Sequence, residues 1–269
     1  MAPVGKISAF ILGLVFFLSF FSSLLVPYDP DAIDLDSLKE PPSFRHILGT
    51  DNKGRDILAR ILYGGKISVG ISVLAALISM TIGMAVGLIS GYKGGKTDIA
   101  LMALVDLILS FPAFLLAIGI SLVLGDGITT VMIALSSVGW TSFARLIRGH
   151  VLSLKESAFI EAARALGSSH TRVVLIHLLP QCIPLAFVMA GLKAGGYILT
   201  EAGLSFLGLG AQPPTATWGS MISASRVYIN SAPWMVFFPG IMIAVTAISF
   251  NLLGDALKEQ YDKTSEKGV

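Results

Sequence analysis

The chain has 269 residues, 54% of them hydrophobic and 13% charged, with a net charge of +2. Average soluble domains carry roughly 25% charged residues, so this density leaves too little polar surface for a water-soluble globule, and the high apolar content excludes a disordered chain. The small net charge gives no basis for nucleic-acid binding, and a single cysteine, Cys182, excludes an intrachain disulfide or a thiolate metal cluster.

A spanning helix needs about 20 mostly apolar residues. The stretches free of Asp, Glu, Lys and Arg predict six membrane helices, near residues 7–26, 67–91, 99–122, 128–146, 183–208 and 234–254. The expected fold class is therefore an all-α integral membrane protein. Lys6 precedes the first apolar run, as in a secretory signal, but the run is too long and lacks a small-x-small cleavage site before Pro27-Tyr28-Asp29-Pro30. It is read as a retained helix.

Residues 1–66 form an N-terminal helix and outer loop, and residues 67–269 a five-helix core with a short tail. The outer loop begins acidic and proline-bearing and ends in a helix-like run, Asp56 to Tyr63, with Ile57, Leu58, Ile61 and Leu62 on one face. That run is predicted to lie on the membrane surface. Within the loop, Asp51-Asn52-Lys53-Gly54 reads as a β-turn, because the glycine comes too early for a calcium loop and no closing Glu follows.

In the second span, Gly83-x-x-x-Gly87 either admits close approach of another helix or is ordinary glycine usage in a membrane helix. The segment Gly91 to Thr97 ends Gly-Lys-Thr, yet its glycines are three residues apart instead of four and a helix precedes it. A tight inner turn fits better than a phosphate loop. Any ATP dependence must then come from a partner.

Asp106 falls in the third span, and Lys193 and Glu201 in the fifth. A charge near the bilayer centre costs about 2.5–3.5 kcal/mol on insertion scales, so each residue marks either a polar pathway or gate, or an interhelical pair that fixes packing. Lys193 and Glu201 share a face about 12 Å apart, too far to bond directly. After the fifth span, Gln212-Pro213-Pro214-Thr215 interrupts a further apolar interval, which reads as a helix end and loop. His46, His150, His170 and His177 form no zinc motif, and neither Gly-x-Ser-x-Gly nor a pair of intramembrane aspartates is present.

Lysine and arginine favour both termini inside the cell membrane. Lys6, Lys93, Lys96, Arg145, Arg148, Lys155, Arg164, Arg172, Lys258, Lys263 and Lys267 then lie on the inner side, and most of the outer cations sit in the long first loop. An even number of spans agrees.

The inner segment 145–182 carries Ala158-Phe159-Ile160-Glu161-Ala162-Ala163-Arg164-Ala165-Leu166-Gly167. Its composition favours a helix stopped by Gly167, after which Ser168 or Ser169 can cap a second helix. Such a bend presents a compact knob to a cytoplasmic partner. Glu161-Ala162-Ala163, then Gly167, then Leu179-Pro180, resembles the EAA loop of permease subunits in binding-protein-dependent ABC importers, and His177 before Leu-Pro matches their peptide branch.

Other blocks agree. His46-Ile47-Leu48-Gly49-Thr50-Asp51-Asn52-Lys53-Gly54-Arg55-Asp56 resembles the outer-loop signature of the dipeptide, oligopeptide and nickel permeases. Glu201 to Gly210 with Gln212-Pro213-Pro214 and Trp218-Gly219, and Phe250 to Asp255, are similar to the ends of their later helices. Two departures stand out: Ala103 replaces a frequent Arg, removing a local partner for Asp106, and Tyr261-Asp262-Lys263 lacks the usual Asp-Pro.

The resemblance implies a six-helix, type I importer bundle with a cytoplasmic coupling helix and no catalysis of its own. Its partners would be a second similar permease, two cytoplasmic ATPases that hold the ATP and Mg, an outer solute-binding protein and membrane lipid; this chain would bind no cofactor or metal. Glu161, Ala162, Ala163, Gly167, Leu179 and Pro180 are the implied ATPase-docking residues. Di- or oligopeptide is the implied cargo, with nickel or a nickel chelate as the alternative. The competing class is a secondary carrier coupled to ions through Asp106, Lys193 and Glu201; an intramembrane enzyme has no supporting constellation.

Overall fold

The computed structural model describes residues 3–266, so Lys267 lies outside the described residues. Those residues are helical throughout apart from loops and one isolated bridge, Thr50 to Asp56. In chain order the helices are α1 (Pro3–Phe20), α2 (Ser22–Leu25), α3 (Ile57–Lys93), α4 (Gly95–Leu109), α5 (Ala113–Leu124), α6 (Ile128–Leu154), α7 (Ala158–Ala165), α8 (His170–Arg172), α9 (Leu179–Phe206), α10 (Trp218–Ser225) and α11 (Trp234–Glu266). Five are long and apolar enough to cross a bilayer, counting α8 through α9 as one, and six if the bent pair α4 and α5 forms one span.

Four expectations are corrected. The run Asp56 to Tyr63 does not lie on the surface as a separate helix; it is the N-terminal end of α3, whose first turn is capped by the Asp56 carboxylate accepting from the Ala59 amide at 2.8 Å. Its charges are absorbed locally. Arg60 is buried and donates to the Pro30 carbonyl at 2.7 Å and to Asp31 at 3.0 Å, and the Lys66 ammonium sits 5.5 Å from the Phe20 ring.

The third predicted span is broken at Ser110-Phe111-Pro112, where α4 and α5 meet at 88°. Proline cannot donate to the helical ladder and turns the residue before it away from helix, which ends α4 there. The fourth span runs past residue 146 to Leu154, because Arg145 and Arg148 lie on a helical face that meets carboxylates of α4. The fifth begins well before residue 183. Residues Val173–Leu178 form a π-helical stretch that leads from α8 into α9, with the Leu179 amide donating to the Val174 carbonyl. Pro180 would clash with the carbonyl four residues back, and the wider turn relieves that clash. The short helix α10 was not expected; Thr217 and Ser220 close a capping box at its start.

The centre of the bundle is the pairing of α3 with α6. A Cβ on Gly83 would lie 2.4 Å from the Phe143 Cβ, one on Gly87 2.7 Å from the Ala144 carbonyl, and one on Gly91 2.9 Å from the Val151 Cβ. Of the two readings of Gly83-x-x-x-Gly87, close helix approach is the one seen. A second close contact joins α9 to α11 through Gly195 and Gly254. Trp218, fully buried, ties α10 to α3 by donating to the Ile61 carbonyl at 2.9 Å.

Candidate functional site

The short helix α7 is strongly two-faced. Ile160 and Ala163 are buried, and Ile160 sits in a cluster with Val173, Leu178 and Cys182. Phe159, Glu161, Ala162 and Leu166 are exposed, Leu166 to 87%. The helix ends as the sequence predicts. Gly167 has φ +81°, its amide donates to the Arg164 carbonyl at 2.9 Å, and the Ser168 amide reaches the Ala163 carbonyl at 3.1 Å. This is the paired bonding of a Schellman stop, in which glycine occupies the left-handed position without a Cβ penalty. Ser169, rather than Ser168, caps α8.

The predicted docking set therefore divides. Glu161, Ala162, Gly167 and Pro180 face outward. Ala163 faces the body of the chain, where its small side chain lets α7 sit close, and Leu179 packs beside the Ile160 cluster. Sequence reasoning missed Leu166, the most exposed apolar residue of the knob, although its place just before the stop glycine pointed to it. It also missed a cavity of about 650 Å³ beside α7, rimmed by Lys93, Arg164 and His170 and floored by Val174 and Leu175. Tyr92 braces it: its hydroxyl meets the His170 Nδ1 at 2.8 Å, and the Arg164 guanidinium lies 5.4 Å from its ring.

Gly167 allows a direct check. A Cβ there would meet no atom within 4 Å, so only the backbone conformation opposes substitution. A non-glycine residue in that conformation costs roughly 1–2 kcal/mol, least for Asn. Gly167→Val is expected to speed proteolytic cleavage near α7 at unchanged membrane abundance, with Gly167→Asn close to wild type; an unchanged cleavage rate in the valine variant would count against a role for this bend.

The three membrane charges do not come together. Asp106 pairs with Arg145 of α6, which supplies the partner that Ala103 does not, and both side chains are more than half exposed. A neighbouring pair was missed: Asp98 accepts two bonds from Arg148, both at 2.6 Å. Two arginines three apart in α6 and two aspartates eight apart in α4 were the available signal. Lys193 is half-buried and donates to the Ser142 hydroxyl at 3.0 Å. Glu201 is fully buried; Ser205 of the same helix donates to its Oε1 at 2.7 Å, and among the described residues its Oε2 has no hydrogen-bond partner.

In the loop before α3, His46, Gly49, Thr50, Asp51, Gly54, Arg55 and Asp56 are all buried in one knot. The His46 Nδ1 lies 2.9 Å from the Asp56 carboxylate, and Asp51 accepts from the Lys53 amide at 2.7 Å and the Arg55 Nε at 2.7 Å. Thr50 receives the Glu40 amide at 2.8 Å. Gly49 and Gly54 adopt positive φ, and a Cβ on Gly54 would overlap the Asp34 carbonyl. A hydrogen bond from Ser37, then one from the Asp36 amide and the charge of Arg45, holds the Asp34 carboxyl below the usual range. The motif shapes the loop, and beside its buried residues the large apolar side chains of Phe44 and Ile47 are exposed.

A bundle of apolar spans with a short two-faced helix and a knotted loop defines a multi-pass membrane protein. The chain belongs to the family described as binding-protein-dependent transport system inner membrane component, which matches residues 83–265. It is the permease subunit of an ABC importer. The glutathione transport system permease protein GsiD of Pectobacterium atrosepticum is 40% identical over 250 residues, covering 93% of this chain and 83% of that protein. The nickel transport system permease protein NikC of Escherichia coli K12 is 39% identical over 257 residues, covering 96% and 93%. The fold is also similar to a chain of the methionine ABC transporter MetNI in an inward-facing conformation, with a TM-score of 0.60 at 19% identity, covering 74% of this chain and 94% of that one.

Proposed function

We propose that this chain forms half of a translocation pathway, paired with a second permease of similar build, and that two cytoplasmic ATPases hold the ATP and Mg and hydrolyse the nucleotide. A solute-binding protein delivers cargo to the outer knot, whose exposed Phe44 and Ile47 offer it an apolar contact. Both termini face the cytoplasm, which puts α7 and the Lys93–Arg164–His170 cavity on the ATPase side. Residues 67–269 act as the core, with residues 1–66 as an outer and lateral brace.

The observation that carries this reading is the division of α7. Ile160 anchors the helix to the bundle, while Glu161, Ala162 and Leu166 remain free to enter a groove on an ATPase. A helix gripped on one side by a moving partner and on the other by the cluster of Val173 and Leu178 transmits motion into the π-helical start of α9. The two nucleotide states then bias the bundle through their different contacts with α7.

Di- or oligopeptide is the proposed cargo; a glutathione permease among the relatives favours it, since glutathione is a tripeptide. The nickel permease NikC supports the alternative, nickel or its chelate. Cells expressing the chain with its neighbouring genes are expected to take up a labelled dipeptide or glutathione in an ATP-dependent manner. Uptake of labelled nickel, with no uptake of either peptide, would reverse the choice.

A further inference from the structure

We infer that the cavity between the α4–α5 break and α9 is a carboxylate-binding point on the translocation pathway, with Lys193 as its cation. This rests on the permease reading above. Lys193 stands near the middle of α9, about 20 Å from either end of Leu179–Phe206 at 1.5 Å per residue. That position is close to the bilayer centre, where an ammonium must face water, a polar ligand or another polar chain.

The Lys193 ammonium has three protons to give. One goes to the Ser142 hydroxyl at 3.0 Å. Among the described residues no carboxylate lies within ion-pair distance of it. The cation therefore differs from Arg145 and Arg148, which both have an aspartate.

The space before it is a cavity of about 100 Å³, lined by Lys193, Ser142, Tyr197 and Thr200 on its polar side and by Phe114 and Leu135 on its apolar side. At roughly 30 Å³ per water, it takes a carboxylate and the carbon that bears it but not a whole peptide. Lys193, Tyr197 and Thr200 bring one face of α9 to it. Lys193 and Thr200 are half-exposed on that face, Gly196 is exposed, and a Cβ on Gly196 would meet nothing within 4 Å. This chain leaves a polar stripe uncovered in the middle of the membrane, and in the assembled importer a solute path accounts for it.

The chemistry selects the ligand. An ammonium beside hydroxyls and an apolar wall suits an organic carboxylate and repels a bare divalent cation. Among the described residues no three of His, Cys, Asp and Glu gather to hold such a cation. Peptide carboxylates and the carboxylate of an amino-acid metal chelate share this recognition, so the inference narrows the cargo to solutes that carry the group.

The test uses the complete importer, with its binding protein, in proteoliposomes. The probes are alanyl-phenylalanine, its C-terminal amide, nickel with histidine, and nickel alone. For each probe the rate is compared between wild type and Lys193→Met, so any selection by the binding protein cancels in the ratio. The free dipeptide, or nickel with histidine if that is the cargo, is expected to lose about tenfold in maximum rate, with the concentration of loaded binding protein at half-maximum unchanged. The amide and nickel alone should change little, and Lys193→Arg should retain preference for the carboxylate. Equal losses for free and amidated peptide, or no loss for any transported probe, would overturn the inference. So would failure of both Lys193→Met and Lys193→Gln to copurify with the second permease, since Lys193 would then pair with that subunit. If wild type moves none of the probes, the cargo reading fails and takes the inference with it.

Discussion

Gly87→Val removes most of the folded protein from the membrane. The added Cβ would sit 2.7 Å from the Ala144 carbonyl and 2.8 Å from the Ile147 Cβ, so the first contact is with the backbone of α6 and cannot be relieved by a rotamer change. Gly83 and Gly91 extend the same stripe along α3, one turn to each side, and hold the two helices at a single short separation. Parting them at Gly87 loosens all three contacts. Overpacking typically costs about 1–3 kcal/mol, and small-residue packing carries much of helix association in lipid, where the hydrophobic effect does not. Each 1.4 kcal/mol is roughly tenfold in an equilibrium, and a fall of about that size in monodisperse protein after detergent extraction is expected. Gly70→Val is the control, because a Cβ there meets nothing within 4 Å. Equal yields of both variants would contradict this account of the core.

Ile160→Asp is expected to separate folding from coupling. Ile160 is completely buried in an apolar cluster with Val173, Leu178 and Cys182. Burying an unpaired charge costs several kcal/mol, which exceeds what an eight-residue helix gains from its own hydrogen bonds. α7 is then released while the glycine-lined contact of α3 with α6 stays intact. Extraction yield should be near wild type, and ATP hydrolysis stimulated by the loaded binding protein should fall tenfold or more, on the order of the loss when a key contact is removed. Glu161→Ala, on the opposite face, should leave α7 seated and cause a smaller loss. A drop in extraction yield equal to that of Gly87→Val would show that α7 belongs to the folding core.

The spans were largely legible in the sequence because lipid makes the rule simple: an apolar stretch of the right length must become a helix. The ends were less so. Arg60 and Lys66 kept residues 57–66 out of the second span when only charge was counted, and only the fold brings Asp31, the Pro30 carbonyl and the Phe20 ring to them. Pro112 was visible throughout, but that the chain turns by 88° there instead of bending slightly depends on how α5 packs against α6.

The inner site was legible where chemistry is local. Gly167 stops α7 because of its own backbone, and the bonds to the Arg164 and Ala163 carbonyls lie within five residues. Which alanine faces the partner was not readable, since Ala162 and Ala163 are adjacent and the choice is set by where Ile160 packs. The membrane charges were the least readable. Arg145 finds Asp106 across 39 positions. Spacing along a single helix puts Lys193 and Glu201 on one face without a direct bond, but that one faces a cavity and the other is sealed in the bundle depends on the fold.

The claim that α7 is the point of contact with an ATPase is open to a direct measurement. The only cysteine, Cys182, is buried, so Cys182→Ser gives a background for placing single thiols. Leu166→Cys, at the tip of the knob, should crosslink to a copurified ATPase with a short thiol-reactive linker, and the yield should change when ATP is added. Phe44→Cys on the outer loop should give no such product. A Leu166→Cys chain that copurifies with the ATPase but never crosslinks to it, while a thiol at Lys258 does, would move the contact to the end of α11 and contradict the account.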